Sequence, residues 1–265
     1  MLDTATYRSC PNCEGTDCTP WAQYSPEDWE VVKCIDCDMT YLRNPVTYEA
    51  LKEDFAWEKT YVEKTEKGGS TRLSSFARKL RTSTIGLSRD NHSKYRKWFN
   101  DGAVLDIGCG SGHRVKDPMT PYGIELSNEL HAQADAMMRN KGGYCAHGAG
   151  ADAIWEFEPS HFDGILMFSY LEHETDVLSV LRGAHRALKD TGAVFIRVPN
   201  FGSLNRHVVG SKWCGFRYPD HVNYFTLSTL RNVAKRTGFD TTLINRATFM
   251  VDDNIHVLLR KSARS

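Results

Sequence analysis

Residues 103–114, AVLDIGCGSGHR, constrain the fold of this chain more than any other stretch. Ala103, Val104, Leu105 and Ile107 surround one acid, Asp106, and glycine then takes every second position at 108, 110 and 112. A short apolar run of this kind reads as a buried strand. Glycines placed straight after it let the backbone turn with positive φ and leave no β-carbon to hold another group off. The rest of 101–265 continues the theme. Apolar runs at 103–107, 122–124, 144–146, 164–168 and 193–198 read as strands. Between them, 128–139 and 177–188 carry helical spacing, with Val177, Leu178, Leu181, Ala184 and Leu188 on one face. LSTLRNVAKRTGF (227–239) is a further helix with Ser228 as its cap, and TTLINRA and NIHVLLR close the chain as an edge hairpin. Strands that alternate with helices predict the α/β class: a parallel sheet with crossover helices.

In open α/β sheets, ligands bind beyond the carboxyl ends of the strands. The bare loop at 108–112 is therefore the expected seat of a nucleoside-containing cofactor. A dinucleotide fingerprint needs G-x-G-x-x-G, but His113 stands where that pattern continues and the spacing is G-x-G-x-G, a poor match to a nicotinamide site. The segment YGIELS puts Glu125 at the end of the second strand, 19 residues after Asp106. An ionised carboxylate accepts hydrogen bonds and donates none, so it suits the two hydroxyls of a ribose.

The motifs VLDIGCGSG, YGIELS, FDGILMFSYLEHE and ALKDTGAVFIRVPN stand in the order found in class I S-adenosylmethionine-dependent methyltransferases. The chain resembles that family over roughly 101–240, and DHVNYFTLSTLRNVAKRTGF is similar to the tail of its ubiquinone-type and sugar methyltransferases. The resemblance implies a Rossmann-like sheet with helices on both faces and S-adenosylmethionine as cofactor. It implies contacts to that cofactor from Asp106, Gly108, Gly110, Gly112, Glu125, Asp152 and Phe168; Asp152 is the nearest counterpart of an acid the family often places near the adenine. Pro118 and Pro121 leave room for only a short first crossover helix.

Methyl transfer from a sulfonium needs an aligned acceptor, and a neutral hydroxyl acceptor usually needs a base as well. SYLEHE follows the fourth strand and brings Tyr170, Glu172 and His173 to the carboxyl edge of the sheet. His173 is the candidate base, since imidazole titrates near neutral pH, and Glu172 or Glu174 orients it or binds acceptor hydroxyls. Tyr-x-Glu-His resembles sugar C-methyltransferases, and the Glu-His step also resembles ubiquinone-type O-methyltransferases, some of which use a divalent metal. Residues 206–226 interrupt the alternation with aromatics and glycine. They read as a lid or acceptor pocket, with Trp213, Phe216, Tyr218, His221 and Tyr224 as contacts and His221 as a second base.

Cys10-x2-Cys13 and Cys34-x2-Cys37 form two knuckles able to supply four thiolates to a structural zinc, with Cys18 as a replacement ligand. CIDCDMTYLRNPVTYEAL resembles the zinc-ribbon start that precedes many bacterial methyltransferases. The expected organisation is a zinc-ribbon module over 1–45, a helical connector over 46–100 and a cofactor-binding domain over 101–265. Net charge is zero but unevenly spread. Residues 1–58 carry 4 basic and 12 acidic side chains, and 59–97 carry 11 and 3. That basic stretch, with Arg78, Lys79 and Arg81, neutralises the acidic leader or meets an anionic acceptor group such as a diphosphate. No apolar run approaches a membrane span, and the start MLDTATYRSC has no signal-peptide pattern, so a cytoplasmic protein is expected. The expected acceptor is a small metabolite, with a glycosyl or nucleotide-sugar group first. Neutral overall charge argues against nucleic acid. An RNA methyltransferase and a non-catalytic zinc-ribbon module stand as alternatives. The oligomeric state is not legible.

Overall fold

A computed structural model describes residues 7–26, 28–46 and 97–263. The connector expected over 46–100 lies almost wholly outside the described residues, as do Arg78, Lys79 and Arg81. The main sheet has seven strands: β4 (Ala103–Ile107), β5 (Thr120–Glu125), β6 (Cys145–His147), β7 (Phe162–Phe168), β8 (Leu188–Pro199), β10 (Phe239–Leu243) and β11 (Asn254–Lys261). Their order is β10-β11-β8-β7-β4-β5-β6. β4 to β8 run parallel, β11 is antiparallel to β8, and β10 pairs antiparallel with β11 as the expected edge hairpin. From β4 the chain winds outward through β5 and β6, then returns to β7 on the other side of β4. The strand order therefore reverses between β4 and β7, and a crevice opens at such a switch point. Asp106 and Phe168 stand at its lip.

Side chains alternate between faces of a strand, and two cores follow from that. Leu105, Ile107, Ile165, Met167, Val194, Ile196 and Val198 pack with helices α3 (Val177–Ala187) and α5 (Leu227–Arg236). Val104, Leu166 and Phe195 pack on the other face with Phe99, Val115 and Met119. Each large side chain buried in this way stabilises the fold by about 1.5–3 kcal/mol. The predicted stripe on α3 is buried as expected, although the helix ends at Ala187 and Leu188 begins β8 opposite Phe162.

The first crossover departs from expectation. Among the described residues, no helix joins β4 to β5. The segment runs in turns instead, with Gly112 at φ +83°, and tucks Val115 and Met119 into the second core. α1 (Asn128–Arg139) is capped by Ser127, whose Oγ accepts from Leu130 N–H. The short α2 (Gly150–Ala153) follows β6, and α4 (Leu204–Val209) follows β8. The cap of α5 is Thr226 rather than Ser228: its side chain accepts from Thr229 N–H while the Thr229 hydroxyl accepts from Thr226 N–H.

A second sheet has the order β1 (Cys18–Pro20), β2 (Val31–Cys34), β3 (Thr40–Leu42), β9 (Asn223–Tyr224). Its last strand comes from the far end of the chain. Thr40 pairs with Tyr224 and Tyr41 with Asn223. No helix among the described residues is long and apolar enough to cross a membrane.

Candidate functional site

At the end of β4 the three loop glycines all take positive φ, +70°, +57° and +83°, but for different reasons. A β-carbon on Gly112 would come within 2.8 to 3.2 Å of Met137, Met138 and Ala134, so that glycine lets α1 close on the loop. One on Gly108 would lie 3.0 Å from the Tyr170 ring. One on Gly110 would meet nothing within 4 Å among the described residues. Gly110 is therefore the place where bare main chain faces open space. Glu125 fixes this loop: its Oε2 accepts from Gly110 N–H at 2.8 Å, and its Oε1 from Leu126 and Ser127 N–H at 2.9 Å. Three of its four lone-pair sites are thus engaged, and Oε2 keeps one for a ribose hydroxyl.

Asp106 is fully buried. Its Oδ2 accepts from Arg114 Nη1 at 2.5 Å, and its Oδ1 has no hydrogen-bond partner. Burial pushes its carboxyl up to about 6, against the pull of Arg114. A buried acid with an unmatched oxygen beside an open glycine loop fits a cationic cofactor such as a sulfonium amino acid. Gly148 N–H donates to Glu125 O, which sets α2 beside the end of β5, and Asp152 is exposed there. Phe168 ends β7, where Arg114 and Arg197 lie over its ring with Cζ 4.9 and 4.7 Å from the centroid.

After β7 the chain leaves the sheet through Ser169, a non-glycine residue at φ +56°. Tyr170 packs on Gly108, and its hydroxyl donates to Glu174. Asn223 pins the loop: its Nδ2 donates to Leu171 O at 2.7 Å and to Glu174 O at 2.6 Å. The N–H groups of Val222 and Asn223 both donate to Glu172 O. Glu172, His173 and His221 then converge, each offering a ligand atom within 4.8 Å of the others. The imidazoles stand edge to face, with centroids 4.7 Å apart. His173 Nδ1 lies 2.7 Å from Asp220 O and His221 Nδ1 lies 2.8 Å from Gly215 O. A carbonyl only accepts, so each Nδ1 carries the proton and each Nε2 presents a lone pair. Burial, chiefly, pushes His173 down to about 3 and His221 down to about 4, so both rings are neutral. Burial pushes the Glu172 carboxyl up to about 8, and its Oε2 has no hydrogen-bond partner. Two neutral imidazoles of fixed tautomer and an unsatisfied carboxyl fit a divalent cation.

The aromatics of 206–226 do not line an open pocket as expected. Trp213 and Tyr224 are buried with Phe201, Tyr24 and Val31 in a third core, and Phe216 and Tyr218 pack against it. Tyr218 Oη donates to Tyr24 O and Trp213 Nε1 to Asp253. This segment is fastened to the N-terminal module, and His221 is the residue of the set that lies with Glu172 and His173. Two groups escape a reading of the sequence. Arg197, the one charge inside the apolar run AVFIRV, donates through Nη1 to Ser169 Oγ at 2.8 Å. Arg8 reaches Leu42 O, Thr175 O, Val222 O and Asn223 Oδ1.

Cys10, Cys13, Cys34 and Cys37 cluster with their Sγ atoms within 4.8 Å of one another. Cys10–Cys37 and Cys13–Cys34 stand at 3.5 and 3.4 Å. Four thiolates on one tetrahedral zinc would sit about 3.8 Å apart, so the set fits that ion with little movement. The knuckles match in form: Glu14 and Asp38, each just after the second cysteine, take φ +65° and +59°. Cys18 stands apart on β1, paired with Cys34 across the strands.

The family described as a methyltransferase domain matches residues 77–244. The ubiquinone biosynthesis O-methyltransferase of Methylococcus capsulatus is 29% identical over 153 residues, covering 52% of this chain and 62% of that protein. The protein of the same name from Burkholderia vietnamiensis is 29% identical over 151 residues, covering 51% and 62%. The chain thus spans less than two thirds of the length of these curated relatives. An S-adenosylmethionine-dependent methyltransferase structure from Archaeoglobus fulgidus superposes with a TM-score of 0.54 at 14% identity, covering 76% of this chain and 99% of that one. One from Methanosarcina mazei gives 0.50 at 16%, covering 66% and 100%. With the switch-point crevice, the open glycine loop and a family match over more than half its length, this chain belongs to the S-adenosylmethionine-dependent methyltransferase family.

Proposed function

We propose that the protein transfers the methyl group of S-adenosylmethionine to a hydroxyl of a small-molecule acceptor. The observation that carries this reading is the convergence of Glu172, His173 and His221 at the carboxyl edge of β7, beside a glycine loop built for the cofactor. Glu125 holds the ribose, and Gly110 gives it passage. A general base works best with a pKa near the working pH, and His173 is held far below it. Glu172, His173 and His221 serve better as ligands of a divalent ion than as proton acceptors. Such an ion, when bound, lowers the pKa of a hydroxyl that meets it. The carbonyls of Asp220 and Gly215 keep both imidazoles aimed, and Asn223 keeps Glu172 in place.

The names of the relatives favour oxygen as the methylated atom. A glycosyl or nucleotide-sugar acceptor, expected from the sequence, has no support among them, and a hydroxyaromatic is the first acceptor class to test. The test is turnover with labelled cofactor on a panel of catechols and sugars, after removal and return of divalent ions. O-methylated product is expected, with His173→Ala and His221→Ala lowering kcat by about 100-fold or more while calorimetric cofactor affinity holds. An N-methylated product, or full activity in both variants, would overturn the reading.

A further inference from the structure

The acceptor's second recognition element follows from the charges around Phe168; this step rests on the hydroxyl-transfer reading above. Two guanidiniums lie over one ring. Arg114 is already paired, through Nη1, with the buried carboxylate of Asp106. Arg197 is half-buried, and the only hydrogen bond of its side chain among the described residues goes to the neutral hydroxyl of Ser169. Its other N–H groups are not among the sealed, unsatisfied atoms of the interior. Glu172, Asp252 and Cys214 attract it, and Arg114 repels it. No carboxylate among the described residues comes within ion-pair distance of Arg197. Arg217, from the 206–226 segment, faces Glu172 and both imidazoles and is paired with Asp220 at 3.3 Å.

We propose that Arg197 receives a carboxylate carried by the acceptor, and that Phe168 and Ser169 hold its fork in position for that group. A guanidinium presents two parallel N–H donors that match a carboxylate. Arg114 has Asp106 and Arg217 has Asp220 as ion-pair partners, while Arg197 has no ion-pair partner among the described residues, so it is the guanidinium left to meet a carboxylate. Position separates this carboxylate from the one on the cofactor itself. Arg197 stands near the carboxyl end of β8, two residues before Pro199, and two strands, β7 and β4, lie between β8 and β5. Arg114 comes from the glycine loop itself, whereas Arg197 reaches the shared Phe168 ring from β8. The specificity determinant is thus Arg197, on the same lip of the sheet as Glu172.

The test uses 3,4-dihydroxybenzoate and its neutral isostere 3,4-dihydroxybenzamide. Binding of each is measured by calorimetry to full-length protein saturated with the demethylated cofactor, and turnover is measured separately. The benzoate should bind at least about 10-fold more tightly than the benzamide. Arg197→Gln should erase that preference, Arg197→Lys should restore part of it, and cofactor affinity should stay within about 3-fold in both. Equal binding of the two compounds by the native protein overturns the proposal. So does an Arg197→Gln protein that loses cofactor affinity and keeps the benzoate preference, since the carboxylate would then be the cofactor's own. Preferential benzoate binding without methylation of either compound upholds the carboxylate site and sinks the hydroxyl-transfer reading instead.

Discussion

Gly110 separates folding from binding at a single residue. With φ at +57° and no described residue within 4 Å of where a β-carbon would stand, alanine there meets strain but no clash with them. Gly110→Ala should cost about 1 kcal/mol, a fall of roughly 2–4 °C in Tm. Cofactor affinity should fall by about 10-fold or more, because the new methyl group occupies the approach to the loop. Gly112→Ala should do the reverse and unsettle the fold, since its β-carbon presses on Met137, Met138 and Ala134. Scanning calorimetry and cofactor titration on both variants read the difference; unchanged affinity in Gly110→Ala would detach the loop from the cofactor. The sequence singles out Glu125 as the carboxylate that ends the second strand. It cannot show that the same carboxylate holds the loop through Gly110, Leu126 and Ser127, because those bonds depend on where β5 ends. Arg197 is legible in principle, as the lone charge in a buried run, but its neighbours come from three different segments.

Among the elements, periodicity locates every strand of the main sheet, and the misses have local causes. The first crossover has no helix because positive φ at Gly112 and Pro118 leave too little chain between them to pay for a helical nucleus. The start of α5 is harder to place from residue types alone. Ser228 is a good cap by type, yet Thr226 is the residue with extended backbone and a reciprocal partner in Thr229. Thr226→Ala should therefore lose about 1 kcal/mol in urea denaturation, and Ser228→Ala a few tenths at most. Equal losses would refute the assigned cap. The aromatic run of 206–226 resembles pocket lining because composition cannot distinguish a wall from a filling. Trp213 and Tyr224 are filling, packed against Tyr24 and Phe201.

At the level of the whole molecule, the two knuckles and the Glu172–His173–His221 cluster are joined through one small sheet. β9 completes the small sheet two residues after His221, and Arg8 ties the leader to Val222 and Asn223. Cys37→Ser should lose bound zinc by mass spectrometry, lower Tm by about 10 °C, and reduce turnover at temperatures where the chain is still folded. Retained turnover in a folded, zinc-free protein would mean that the module and the centre are independent. No sequence pattern announces this linkage, since a two-residue strand carries no periodicity. It has a practical side. A shortened protein made without the first 45 residues keeps every loop glycine and the whole Glu172–His173–His221 set. It nevertheless strips β9 of its neighbour strand and Asn223 of its guanidinium, so what remains would be a differently shaped catalyst rather than a smaller copy of this one.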